Sequence, residues 1–288
     1  MFEPFEFEFM IRAMVAASVV GALTAAVGVF VVLRHLSYIG HGLAHSVFGG
    51  AVVSFVAGIN FYIGATVWGL VSVFLINAVS RRRQIGGDAA IGIITTSAFA
   101  VGVLLISRGG SFNRDFEAAL FGEILGITNT DLAITAAVLV VVMLALFLMW
   151  KQLIFTTFDQ DVAGAYGVPV RAVEGVFSLI LAASVIASLQ VLGVTLLAAA
   201  LVIPPVGARL LTDSFTRMFF IAVALGTLTG FFGAYMSWFV DSSSGATIVL
   251  LQAAVFVLAL SYAGARSRWL RRGARETERI AGLEKTVY

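Results

Sequence analysis

An all-α protein that crosses a membrane eight or nine times is what this chain predicts, and three observations carry that expectation. Hydrophobic residues fill 60% of its 288 positions and charged ones 12%, with a mean hydropathy of +1.02. A soluble domain needs about twice that share of charge to cover its surface. Apolar runs of the length that crosses a bilayer, about 17 to 25 residues, recur between short polar breaks along the chain. The two-residue alternation of polar and apolar side chains that a transmembrane barrel requires is not present.

The spans fall near 10–33, 41–58, 61–80, 88–106, 131–150, 173–190, 192–206, 218–239 and 245–263. Segments 173–190 and 192–206 are either a tight hairpin or one helix broken around Gln190 and Gly193, so the count is nine or eight. Many alanines and 29 glycines suit close helix approach, because no hydrophobic effect drives helices together in lipid. The opening stretch MFEPFEFEFM is acidic where a cleavable signal would be basic, so none is expected.

Two loops are long enough to hold structure. Loop 107–130 contains AALFGEILGIT (118–128), apolar but too short to cross, which suits a re-entrant or interfacial helix. Loop 151–172 reads KQLIFTTFDQDVAGAYGVPVRA. Its Asp159 and Asp161 precede a short helix-forming run at 162–166, which Gly167 and Pro169 then stop. The chain divides into a membrane domain, 1–265, and a mixed-charge tail, 266–288, suited to the surface of anionic lipid. The tail interleaves its arginines with Glu276, Glu278 and Glu284 and carries no nucleic-acid signature.

With nine spans, Arg34, Arg81, Arg82, Arg83, Lys151, Arg171, Arg209, Arg217 and the tail arginines share one side, which is then the cytoplasm. The acidic N-terminus, the turn at 58–60, loop 107–130 and the turn at 241–245 lie outside. Arg108 and Arg114 are exceptions, offset by Asp115 and Glu117.

Several chemistries are excluded. Without cysteine there is no disulfide, thiolate metal site or thiol nucleophile. No GxxxxGK[ST] loop exists, so the chain is not expected to hydrolyse nucleotide or to be an enzyme. Three histidines cannot supply two metal shells, and no serine has a positioned histidine and aspartate. Arg12, Asp88, Asp131 and Glu174 all sit near span ends, unlike the intramembrane charges of a proton-coupled carrier. What remains is 33–50, LRHLSYIGHGLAHSVFGG. Its His41 and His45, four residues apart, share a helix face and can chelate one cation. The same pair can equally cap and hydrogen-bond at a membrane interface.

At five places the chain resembles the permease subunits of ATP-binding-cassette importers for manganese, zinc and iron, a resemblance running from FMIRAMVA (9–16) to near Tyr262. Segment 33–50 is similar to the family's arginine, glycine-aspartate, serine-histidine pattern, and ALFGEIL (119–125) to its leucine-phenylalanine-glycine element. FDQDVAGAYGVPV (158–170) resembles the cytoplasmic loop. LGVTLLAAALVIPPVGARLLTDSF (192–215) resembles the proline-containing late span, and GAYMSWFVDSSSGATIVL (233–250) the turn between the last spans.

The resemblance implies a type II ABC importer-like permease in a prokaryotic cytoplasmic membrane, working as a homodimer. Its partners would be cytoplasmic ATPases and an extracytoplasmic metal-binding protein, with a divalent ion (Mn, Zn or Fe) as cargo rather than resident cofactor. It also implies that the short helix around Asp159, Asp161, Val162, Ala163, Gly164, Ala165, Tyr166 and Gly167 docks on the ATPase. The ion path would include His41 and His45. His45 matches the family, whereas His41 stands where aspartate is usual and Ala44 where serine is usual. Imidazole suits zinc, iron and copper, and carboxylate suits manganese, so the swap leans the ligand set away from manganese. Glu123 is a further ligand candidate if its loop folds inward, and Asp241 stands second to it. The alternatives are a permease for metal chelates such as siderophores or cobalamin, and a secondary metal carrier that needs no ATPase.

Overall fold

A computed structural model describes residues 3–80, 87–109 and 122–284, and all regular structure among them is helical. The α-helices in chain order are α1 Glu8–Leu33, α2 Ser37–Val56, α3 Phe61–Ser80, α4 Gly87–Gly109 and α5 Asn129–Leu148. They continue with α6 Trp150–Phe158, α7 Gln160–Ala165, α8 Val170–Leu211, α9 Phe215–Val240 and α10 Ser244–Glu284. Five are long and apolar enough to cross a bilayer: α1, α5, α8, α9 and the Ser244–Arg266 part of α10. Shorter apolar stretches, Gly42–Val56, Tyr62–Ile76 and Ala89–Leu105, form the bodies of α2, α3 and α4.

The 42 residues of α8 would extend about 63 Å if straight, twice the thickness of a hydrocarbon core. The chain avoids that length by reversing at Gly193, whose φ of 69° and ψ of 168° are non-helical. Phe177, before the break, and Phe215, after α8 ends, both pack on the same Phe30 ring, with centroids 6.1 and 5.4 Å away. Leu201 and Pro205 lie against Gly28 nearby. Residues 170–192 therefore run one way and 194–211 return beside them, so of the two alternatives it is the hairpin that forms. Positive φ explains why glycine occupies the apex.

Helix α1 is the axis of the bundle. Its apolar window is 72% buried, against 17% for α5, which sets α1 at the centre of the chain and α5 at its periphery. The backbones of α1 and α9 touch directly: a Cβ on Gly21 would fall 2.1 Å from the Gly226 carbonyl oxygen, and one on Gly230 would fall 2.3 Å from that of Ala17. This is the small-xxx-small seam by which membrane helices gain dispersion contact. Near the end of α1, Phe30 is ringed by Trp150, Phe177, Phe215 and Phe219. Helix α2 packs between α3 and α4, where Gly49 abuts the Ala98 carbonyl and Gly50 abuts Trp68.

One expectation needs correction over its described part, 122–128. Of the helix expected at 118–128, residues 118–121 lie outside the described residues, and the remainder holds only a single 3-10 turn, Ile124–Gly126. Gly122, at φ 80°, and Gly126 interrupt any helix there. The turn does fold inward: the Glu123 N–H donates to the Gln190 carbonyl (3.1 Å), and Ile124 and Ile127 are buried. The tail continues α10 as helix to Glu284.

Candidate metal path and coupling segment

His45 sits two turns into α2, level with the middle of α4. Its ring meets the edge of Phe99 at 5.0 Å and 81°, its Nδ1 is buried, and Phe48 packs on the same Phe99 at 5.4 Å. The backbone of His41 lies one turn earlier on the same helix, so the two Cα–Cβ bonds share a face. The His41 side chain lies outside the described atoms. Around this turn glycines bring neighbours onto the backbone: Gly40 faces Leu201 of the descending half of α8, and Gly42 faces Ile91 and Thr95 of α4. The histidine turn is thus wedged between α4 and the α8 hairpin. Ser46 hydrogen-bonds Ser72 of α3 on the adjoining face.

Among the described residues, no three His, Asp or Glu side chains converge in a way that would enclose a metal ion. Glu123 and Asp241 are exposed at the opposite end of the bundle. Asp241 ends α9 in the left-handed conformation (φ 51°), just beyond Trp238, which packs on Phe7 and Phe9 at the start of α1. Helix α2 starts past the other end of α1, so most of the length of that helix separates these carboxylates from His41. The inward folding of loop 122–128 proceeds through its backbone and isoleucines and leaves the Glu123 carboxylate at the surface.

The segment around α7 is built as its sequence suggests. Asp159 accepts from the Val162 N–H (2.9 Å), which caps the first turn and satisfies an otherwise orphaned donor. Gly167, at φ 82°, closes the last turn, and the Val168 N–H reaches back to the Ala163 carbonyl. Ala163 is buried, whereas Phe158, Val162 and Tyr166 are 63, 41 and 79% exposed, an apolar face unlike a solvated loop. Gln160 donates to Glu174 (2.7 Å) and Phe155 meets Tyr166 (5.8 Å), tying α7 to both flanking helices.

Two polar hubs were not singled out by the sequence. At the end of the bundle that the arginine distribution leads one to expect is inner, the Arg34 guanidinium donates to Thr157 and Thr156 of α6 (2.9 Å each) and lies 4.4 Å over the Phe177 ring of α8. Burial draws its pKa below the ordinary arginine value, and the Glu174 carboxylate partly offsets this. At the opposite end, expected to be the outer one, the Tyr62 hydroxyl of α3 donates to Asp131 of α5 (2.7 Å) and meets the Gln190 amide of α8 (2.8 Å). Asp131 also forms a capping box with Thr128. The T-x-x-D spacing at 128–131 was a readable signal for that cap. Nothing local marks the partners of Arg34 and Tyr62, which are more than 65 positions away.

A family model described as the ABC 3 transport family matches residues 6–263. The chain belongs to that family. Among relatives, the "Manganese transport system membrane protein MntC" of Halalkalibacterium halodurans is 34% identical over 256 residues, 89% of this chain and 88% of that protein. The "Chelated iron transport system membrane protein YfeC" of Yersinia pestis is 33% identical, covering 91% of this chain and 88% of that protein. Among solved structures, PsaBC from Streptococcus pneumoniae in complex with Fab superposes with a TM-score of 0.80 at 33% identity, over 88% of this chain and 91% of that one. As a member of the ABC 3 family the protein is a multi-pass membrane subunit of an ABC transporter. Its histidine turn, its α7 segment and both polar hubs fall inside the matched range.

Proposed function

We propose that this chain is the translocation subunit of an ATP-driven importer for a divalent transition metal, manganese or iron foremost, with zinc as the third cargo of that class. The observation that carries this reading is likeness along about nine-tenths of the chain to membrane proteins named for manganese and iron transport. Residues 1–265 form the permease domain and 266–288 a cytoplasmic tail. Two copies assemble with cytoplasmic ATPases and an extracytoplasmic metal-binding protein, in the cytoplasmic membrane, with the N-terminus outside and the C-terminus inside. Energy comes from the partner ATPase, and this chain contributes the path and its gating.

In this reading His41 and His45 line the path. A neutral imidazole offers one lone pair and carries no charge, so two of them ligate a divalent ion without neutralising it. In a low-dielectric setting such an ion is held weakly, which suits transit more than storage. Contact with Phe99 sets the tilt of the His45 ring. The carboxylates at 123 and 241 act at the outer mouth, since they stand at the other end of α1. Helix α7, with the residues from Asp159 to Gly167, presents its apolar face to the ATPase.

Uptake of Mn²⁺ in cells lacking other importers tests the path. His45→Ala is expected to lower uptake at least tenfold at equal membrane abundance, and the His41→Ala, His45→Ala double variant to abolish it. Undiminished uptake by the double variant would remove both residues from the path. Replacing Val162 and Tyr166 by aspartate is expected to release the ATPase from the membrane, and retained co-purification would refute docking at α7.

A further inference from the structure

The inner hub joins two features that the proposed function treats separately, the docking segment and the histidine helix. Arg34 occupies the three-residue turn between α1 and α2. That turn has no slack: the His35 N–H bonds the Val32 carbonyl (3.1 Å) and the Leu36 N–H bonds the Val31 carbonyl (2.9 Å). This is a Schellman closure, with His35 at φ 56° in the position usually given to glycine. Helix α2 begins immediately afterwards at Ser37, and His41 follows one turn later.

From this turn the Arg34 side chain reaches across to the helices that flank α7. Its Nε donates to Thr157 Oγ1 and one Nη to Thr156 Oγ1, both at 2.9 Å, while the same Nη lies 3.5 Å from the Leu153 carbonyl. The Thr156 hydroxyl donates to the Gln152 carbonyl of its own helix (2.9 Å), and the Thr157 hydroxyl to that of Leu153. Each oxygen is thereby oriented to accept from the guanidinium. The face of the guanidinium covers Phe177 on α8, with Glu174 one turn earlier on the same helix. A planar fork bonded to two hydroxyls and stacked on a ring is a geometry that lysine cannot reproduce. One side chain thus grips both flanks of the docking segment and is anchored in the backbone that launches the histidine helix.

We propose that Arg34 is the positioning residue that carries movement of α7 to α2. The proposal rests on the reading of α7 as the ATPase dock. When the ATPase draws α7, helices α6 and α8 move with it through the Asp159 cap and the Gln160–Glu174 bond. Arg34 transfers that displacement to the α1–α2 turn and so to the first turns of α2, where His41 and His45 lie. Without the fork, ATP hydrolysis and repositioning of the histidines become independent.

The test uses the full chain co-purified with its ATPase in proteoliposomes, supplied with the solute-binding protein and Mn²⁺, and reads Mn²⁺ imported per ATP hydrolysed. Arg34→Met and the Thr156→Val, Thr157→Val pair are each expected to lower that ratio at least tenfold while the complex stays assembled. The Thr156→Ser, Thr157→Ser pair, which keeps both hydroxyls, is expected to stay within twofold of the unsubstituted complex. Combining Arg34→Met with the valine pair is expected to add no further loss, because both remove the same bonds. An unchanged ratio in the assembled valine pair, or losses that multiply in the combination, would overturn the role of Arg34 alone. Should Arg34→Met fail to assemble, the contrast between serine and valine decides. If the unsubstituted chain itself does not co-purify with an ATPase, the reading of α7 fails, and the proposal built on it fails too.

Discussion

Among the described residues, each end of this bundle holds a polar side chain that bridges three chain segments, yet the two tie different things together. At the outer end Tyr62 joins α3, α5 and the approach to the α8 apex through a carboxylate and an amide. At the inner end Arg34 joins the α1–α2 turn to α6 and the base of α8 through two hydroxyls and an aromatic face. The inner hub sits in the turn that leads directly into the helix carrying the histidine pair. The outer hub fastens α3 to α5 and α8. The difference teaches that the cost of breaking each hub is expected in a different quantity: stability at the outer end, coupling at the inner end.

Four substitutions probe that contrast. The largest effect is expected from Gly226→Leu, which drives a side chain into the seam where α1 and α9 touch and so damages both ends at once. A loss of about 3 kcal/mol or more is expected, seen as failure to accumulate in the membrane. Tyr62→Phe removes the outer hydroxyl and leaves Asp131 and Gln190 without it. About 1–2 kcal/mol of stability is expected to go, read as a lowered melting temperature in detergent, with Mn²⁺ imported per ATP unchanged. A fall in that ratio would erase the distinction between the ends. Asp159→Ala removes the α7 cap at the inner end, a loss of about 1 kcal/mol locally. Weaker retention of the ATPase is expected to report it better than melting does. His35→Gly is the smallest change. It relieves a left-handed non-glycine residue and is expected to stabilise by about 0.5–1 kcal/mol. It is also expected to loosen the α1–α2 turn, so a modest drop in coupling despite higher stability would sharpen the claim that a stiff turn matters.

Much of the molecule was legible from residue order, for reasons that are local. Span positions follow from the length of apolar runs, because a bilayer leaves no other place for twenty such residues. The α7 cap and stop were readable because Asp159 and Gly167 act within three or four residues of where they stand. The break near Gly193 was visible too, although residue order could not decide between a kink and a reversal. Only contacts to a third helix, Phe177 and Phe215 on Phe30, settle that. The described part of the apolar stretch 118–128, residues 122–128, misled in the other direction. Composition suggests helix there, but the described part is a turn shaped by Gly122 and Gly126 and by packing under the α8 apex.

By itself, then, the sequence determined that the chain lives in a membrane, roughly where it crosses, and that His41 and His45 share one helix face. These depend on hydrophobic transfer and on the helical repeat, both properties of consecutive residues. Tertiary structure alone decided that Glu123 and Asp241 stand far from the histidines, and that Arg34 and Tyr62 are hubs. It also decided that α1 is the axis of the bundle. Those facts depend on which helices lie side by side, and in lipid that choice is made by close backbone approach at glycines and by a few long-range hydrogen bonds, neither of which leaves a periodic trace in the chain.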